Sequence, residues 1–204
     1  MASLYIVDRP VYNTDMPTKK IAIPQSPGPR ERILLAAHDL FYSEGIRATG
    51  IDRVIAESGV AKVTFYRNFP SKAELIREFL EYRHQLWLAW FTDALQRHGG
   101  EVKALTPVLA EWFNDANFRG CAFINSVAEL GGSMPEVAEI TRRHKQEMAE
   151  VIENLLPPSR KRKRTAEAMA MAIDGAIIRA QYEESSDAAL LTLELILKSL
   201  LEKK

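Results

Sequence analysis

The hexapeptide Lys62-Val63-Thr64-Phe65-Tyr66-Arg67 sets two cations, two hydroxyls and a branched apolar side chain within two turns of one helical pattern. Lys and Arg donate to guanine edges or to phosphates, Val and Thr offer methyl groups to thymine, and a Tyr hydroxyl reaches a phosphate while its ring packs. Phe65 and Phe69, four residues apart, form the apolar side of the same turn-and-a-half. Burying that pair leaves Lys62, Val63, Thr64, Tyr66 and Arg67 on the side that can meet DNA. A purely structural hinge in a helical bundle would use the same Phe-Tyr-Arg-Asn-Phe run, so the surroundings must decide. Between Gly45 and Ala73, Arg47, Arg53, Lys62, Arg67 and Lys72 face only Asp52 and Glu57, a local cationic excess within a chain of net charge zero. Such a patch is the electrostatic footprint of a small DNA reader.

The flanking pattern supplies elements that could position this face. Pro29 suits a first helical position, and Ile33, Leu34, Ala37, Leu40 and Phe41 then share one face up to a stop at Gly45. Thr49 and Asp52 have capping-box spacing for a short second helix through Ile51, Val54 and Ile55, ending at Ser58-Gly59. Three residues later a third helix runs from Lys62 to Asn68 and ends at Pro70. Ser71 and Glu74 make a second capping box, opening a long helix to about His98. Two short helices joined by a Gly-containing turn form a helix-turn-helix, whose second helix enters the major groove.

The segment GIRATGIDRVIAESGVAKVTFYRNFPSKAELIREFL resembles the N-terminal DNA-binding domain of TetR/AcrR-family transcriptional repressors, over roughly Arg30 to Arg83. The resemblance rests on Phe41 and Gly45 at the end of the first helix, Thr49 before the second, the Gly59-Val60 turn, Thr64-Phe65-Tyr66 with Phe69, and Pro70-Ser71-Lys72. It implies that Thr49, Tyr66 and Lys72 meet phosphates and that Lys62, Val63, Thr64 and Arg67 lie nearest the base edges. Two positions depart from the family pattern. Ala61 replaces the usual Ser and loses an N-cap typically worth about 1 kcal/mol, and Asn68, a further phosphate-contact candidate, stands where His or an aromatic is common.

The resemblance also implies that the remaining chain senses a ligand. Trp87, Trp90 and Phe91 lie on the fourth helical pattern and Trp112 and Phe113 on the fifth; Phe118 and Phe123 flank Cys121. Stripes of this kind usually pack as core. With Cys121, Asn125 and His144 they also have the make-up of a mostly apolar small-molecule site, the polar groups orienting the ligand, since the sequence shows no cluster of one sign there. Arg119 is the one cation near Cys121 in sequence, which favours a buried, inert thiol. Long helices follow from Pro135 to Pro157, through Thr165–Glu184, and from Asp187 onward. Ala168, Ala172, Gly175 and Ala176 allow close helix approach, and Leu193 and Leu197 belong to a broad leucine face, so these two last helices read as a dimer interface in a four-helix bundle. The alternative is that both faces are satisfied within one subunit.

Composition limits the other readings. With 204 residues, 47% hydrophobic and 26% charged, the chain is of ordinary globular type. One cysteine cannot form an internal disulfide or a cysteine zinc cluster, and the first 20 residues lack a secretory pattern; a cytoplasmic protein is expected. No apolar run approaches the roughly 20 residues of a membrane helix. Neither a nucleophilic triad, a phosphate loop nor metal-ligand spacing is present, so no enzyme, metal or cofactor is expected. An architectural nucleic-acid binder would need a stronger overall positive charge. The expectation is an all-α homodimer with an N-terminal extension (1–28), a three-helix helix-turn-helix domain (29–75) and a helical ligand-sensing and dimerisation domain (76–204). Its partners would be a double-stranded DNA operator and a small-molecule effector, with no membrane.

Overall fold

A computed structural model describes residues 27–202, and these form helices joined by short turns. Of the N-terminal extension, residues 1–26 lie outside the described residues. The first three helices are α1 (Pro29–Glu44), α2 (Ile51–Ser58) and α3 (Lys62–Asn68). Proline at the start of α1 supplies a preset φ, and Ile33, Ala37, Leu40 and Phe41 turn inward. Gly59 closes α2 in the left-handed region, where a side chain is strained, and Arg32 donates to the carbonyls of Ser58 and Gly59. Phe65 and Phe69 are fully buried against this core, their ring centres 6.3 Å apart. The capping box expected at Thr49 does not form. Gly50 is the N-cap of α2, and the Thr49 hydroxyl instead donates to the carbonyl of Gly45 at 2.7 Å.

The second expected cap does form: the Ser71 hydroxyl accepts from the Glu74 amide and opens α4 (Lys72–Arg97). This one helix passes through position 75 without interruption. It packs on α1 at its start and on α5 (Leu105–Phe113), α6 (Ala122–Leu130) and α7 (Pro135–Asn154) farther along. Large side chains on several faces of α4, including Leu75, Phe79, Leu80, Trp87, Trp90 and Phe91, are buried, which explains why it can bridge two sets of partners. α8 (Arg162–Tyr182) lies between α7 and α9 (Asp187–Glu202), and α9 also meets α5. No helix among the described residues is long and apolar enough to cross a membrane.

Candidate functional site

The side chains of α3 divide as their chemistry requires. Val63 is 66% and Tyr66 42% exposed, Lys62 and Arg67 project into solvent, and Thr64 is half-buried. Lys62 pairs with Asp52 at 3.1 Å, and this hydrogen bond raises its pKa above the usual value. No carboxylate pairs with Arg67 among the described residues. Asn68 turns its amide back to the Thr64 carbonyl at 2.8 Å. Lys72, half-buried, donates to the Ile46 carbonyl at 2.6 Å and lies over the Phe41 ring; burial lowers its pKa. Thr49 does not belong to an exposed face. Its side chain is 0% exposed and bonded to backbone carbonyls, so its hydroxyl secures the α1–α2 turn and is closed to a phosphate.

Two polar clasps, neither expected from the sequence, tie these first helices to α6 and to the turn just before it, across an open cleft of about 430 Å³. At one end the Tyr42 hydroxyl donates to the Gly120 carbonyl and accepts from the Arg119 amide, both at 3.0 Å. At the other end the Glu129 carboxylate accepts from the amides of Ile46 and Arg47 at 3.2 and 2.7 Å. Glu129 sits one residue from the end of α6, and the amides it takes belong to the turn that Thr49 and Lys72 also hold. No local spacing links residues more than 80 positions apart, so sequence reasoning had no signal for this contact.

The aromatic residues do converge. Trp87 stacks on Phe91 at 4.6 Å and meets Trp90, Trp112 and His144 with ring centres 6.1, 5.6 and 5.1 Å away. His144 stacks on Phe123 at 3.7 Å. The candidates nevertheless separate into three groups. Trp87, Trp112, Cys121 and His144 border a small cavity of about 10 Å³, whereas Trp90, Phe91 and Phe113 pack behind it. Asn125 lies elsewhere, lining the cleft and donating to the Arg119 carbonyl.

The cavity wall also contains two cations that local sequence did not bring near Cys121, Arg83 from α4 and Lys145 from α7. Lys145 pairs with Asp174 at 2.5 Å. Burial opposes its charge, but Cys121 and Asp174 together leave its pKa above the usual value. Burial, and then the field of Lys145 and the other nearby bases, pushes His144 down to about 2. His144 is therefore neutral, and its Nδ1 lies 3.1 Å from Nδ1 of His84, whose Nε2 is 3.3 Å from Glu147. No cluster of one sign was expected in this region, but Arg83 and Lys145 both line the cavity, the charge of Lys145 being shared with Asp174.

The expected dimer residues also divide. Ala176, Leu193 and Leu197 are buried inside their own subunit, because α8 and α9 use those faces against each other and the core. Ala168 and Ala172 are half-buried and Gly175 is exposed. The outward stripe of α8 is Met171, Gly175, Ile178 and Tyr182, at helical spacing, and it is joined by Leu191 and Leu195 on α9.

Comparison with known proteins sets this geometry among relatives. The family model described as bacterial regulatory proteins, tetR family, matches residues 33–79. An uncharacterised HTH-type transcriptional regulator of Bacillus subtilis, YxaF, is 43% identical over 77 residues, covering 37% of this chain and 40% of that protein's length. The crystal structure of SCO4454, a TetR-family transcriptional regulator from Streptomyces coelicolor, superposes with a TM-score of 0.75 at 30% identity, covering 85% of this chain and 96% of that one. The multidrug binding protein EbrR, solved in complex with malachite green, shares the fold at a TM-score of 0.65 and 17% identity, with 85% and 98% covered.

Proposed function

The chain belongs to the TetR family of DNA-binding transcriptional regulators, and from that premise we propose a homodimeric repressor of a palindromic operator, released by a small, largely apolar effector. The division into an extension, a reader of residues 29–75 and a sensing and dimerisation domain of residues 76–204 is part of this proposal. Lys62, Val63, Thr64 and Arg67 read base edges. Tyr66 and Lys72 serve phosphates, and Asn68 supports α3 through its bond to Thr64. Two α3 helices held about 34–36 Å apart would enter successive major grooves.

The observation that carries this reading is the continuity of α4: one helix packs on the reader's α1 at one end and holds Trp87 against Trp112 and His144 farther along. An effector entering between Trp87 and α5–α7 must displace α4, because the cavity there is far smaller than a typical ligand. It releases DNA only by preferring the displaced arrangement, since equal affinity for both arrangements shifts nothing. The Glu129 and Tyr42 clasps transmit the same movement through α6. The outward stripe of α8 and α9 joins two subunits, with Gly175 at its closest approach.

The test is a compound screen on a complex of the protein with a duplex selected from random sequence. A releasing compound is expected to alter tryptophan fluorescence and lower operator affinity together, and Trp87→Ala is expected to weaken it while DNA binding persists. Release by compounds indifferent to substitution at both Trp87 and Trp112 would remove the pocket from the account.

A further inference from the structure

Arg83 is 4% exposed, and no carboxylate among the described residues pairs with it. Its Nη1 lies 3.3 Å from Nε2 of His38, and its guanidinium carbon 4.0 Å over the Tyr42 ring. The nearest negative charge along this chain of bonds is Asp39, on the far side of His38 at 3.0 Å from Nδ1. A buried cation answered among the described residues only by an imidazole and a ring face is expensive, and an anion entering the cavity would offset that cost. A second buried donor belongs to another residue of the cavity lining: Nε1 of Trp87, a residue 3% exposed, has no hydrogen-bond partner among the described residues. A third is the ammonium of Lys145, already shared with Asp174. The lining also includes the apolar side chains of Phe123, Ala122 and Ile177.

We propose that this cavity is an anion subsite, and that Arg83, the Trp87 indole N–H and Lys145 receive the carboxylate of an apolar acid whose body lies among the aromatic side chains. A carboxylate accepts through both oxygens and fits the planar donor fork of a guanidinium, which a neutral or cationic head does not. The cavity as it stands admits about one water-sized group. A carboxylate bearing a ring therefore enters only as α4, which carries Arg83 and Trp87, moves away from α7, which carries His144 and Lys145. The regulatory consequence rests on the effector reading above, whereas the binding chemistry does not. The inference names the class of effector: an organic acid, in place of the neutral aromatic molecule that the aromatic residues alone would suggest.

The test is thermal unfolding of the full chain in formate, acetate and benzoate, compared with chloride at equal ionic strength and with formamide, acetamide and benzamide. Ligands that bind only the folded state raise Tm with concentration. A carboxylate-specific rise is expected, largest for the acid whose body best fits the aromatic wall. Arg83→Met is expected to abolish it while leaving the unliganded protein as stable or more stable, and Trp87→Phe, which keeps a ring but deletes the N–H, to weaken it by about tenfold in Kd. Arg83→Lys, which keeps the charge and loses the fork, provides the reading should Arg83→Met fold poorly, with a reduced response expected. Carboxylates that stabilise no more than chloride or their amides, or a gain that survives both Arg83 substitutions, would overturn the proposal. DNA release is measured separately. Acids that bind without releasing DNA leave the subsite standing and refute the effector reading, while release by neutral compounds with no acid binding does the reverse.

Discussion

At the residue scale, burial separates an exposed face of α3, proposed to read DNA, from the face that packs on the core. Arg67 is exposed and has no ion pair among the described residues, so Arg67→Ala is expected to change which bases are selected, at a cost of about 1–3 kcal/mol on the preferred duplex. Lys72→Ala is expected to weaken all duplexes alike and to flatten the salt dependence. Competition of both variants on a randomised duplex pool, repeated at two salt concentrations, distinguishes these outcomes. His144 makes a different kind of prediction. Burial and neighbouring cations depress its folded-state pKa to about 2 from an ordinary 6.5, so below pH 6.5 the unfolded chain binds a proton that the folded chain refuses. The stability associated with neutral His144 is complete above pH 6.5 and is lost as pH falls toward 2, at up to about 1.4 kcal/mol per pH unit. Denaturant titrations between pH 7 and pH 5 should show a shallower loss for His144→Gln than for the parent protein. Equal slopes would mean that His144 protonates freely in the folded state.

At the element scale, the reader depends on contacts from α4 and α6 that lie outside it. The Glu129 carboxylate is the clasp on the α1–α2 turn, and losing its two amide bonds should cost about 1–3 kcal/mol locally. Glu129→Ala is expected to speed hydrogen exchange at the Ile46 and Arg47 amides and to weaken a two-half-site duplex while leaving a single half-site duplex unaffected, because only the seating of the reader is disturbed. Equal weakening of both duplexes would instead mean damage to α3 itself. The α8 and α9 face allows a similarly discriminating change. A Cβ built at Gly175 meets nothing within 4 Å among the described residues, so Gly175→Glu should leave the subunit folded. Light scattering is expected to show monomers for this variant and dimers for the parent, and dimers for both would place the interface elsewhere.

At the scale of the whole molecule, what could be read from sequence was what is encoded locally. Helical period, Pro29, the Ser71–Glu74 cap and the Phe65–Phe69 pair mark α1, α3 and α4 because each acts within a few residues. Thr49 misled because a hydroxyl before a helix can bond forward to cap it or backward to close the preceding turn. The buried choice, back to Gly45, depends on tertiary packing. The cavity was only half legible: the tryptophans advertise themselves by composition, but Arg83 and Lys145 meet there because α4 crosses α7, and residues 62 positions apart carry no mutual spacing signal. For the same reason Leu193 and Leu197 could not be told from the outward Leu191 and Leu195 until the face of α9 against α8 was known. The central claim, a dimer whose paired α3 helices read DNA, is tested most directly by selecting duplexes from a random pool with the full chain and footprinting the product. Two inverted half-sites with centres about one helical turn, or a whole number of turns, apart are predicted. Failure to enrich any sequence, or enrichment of one unrepeated half-site, would contradict it.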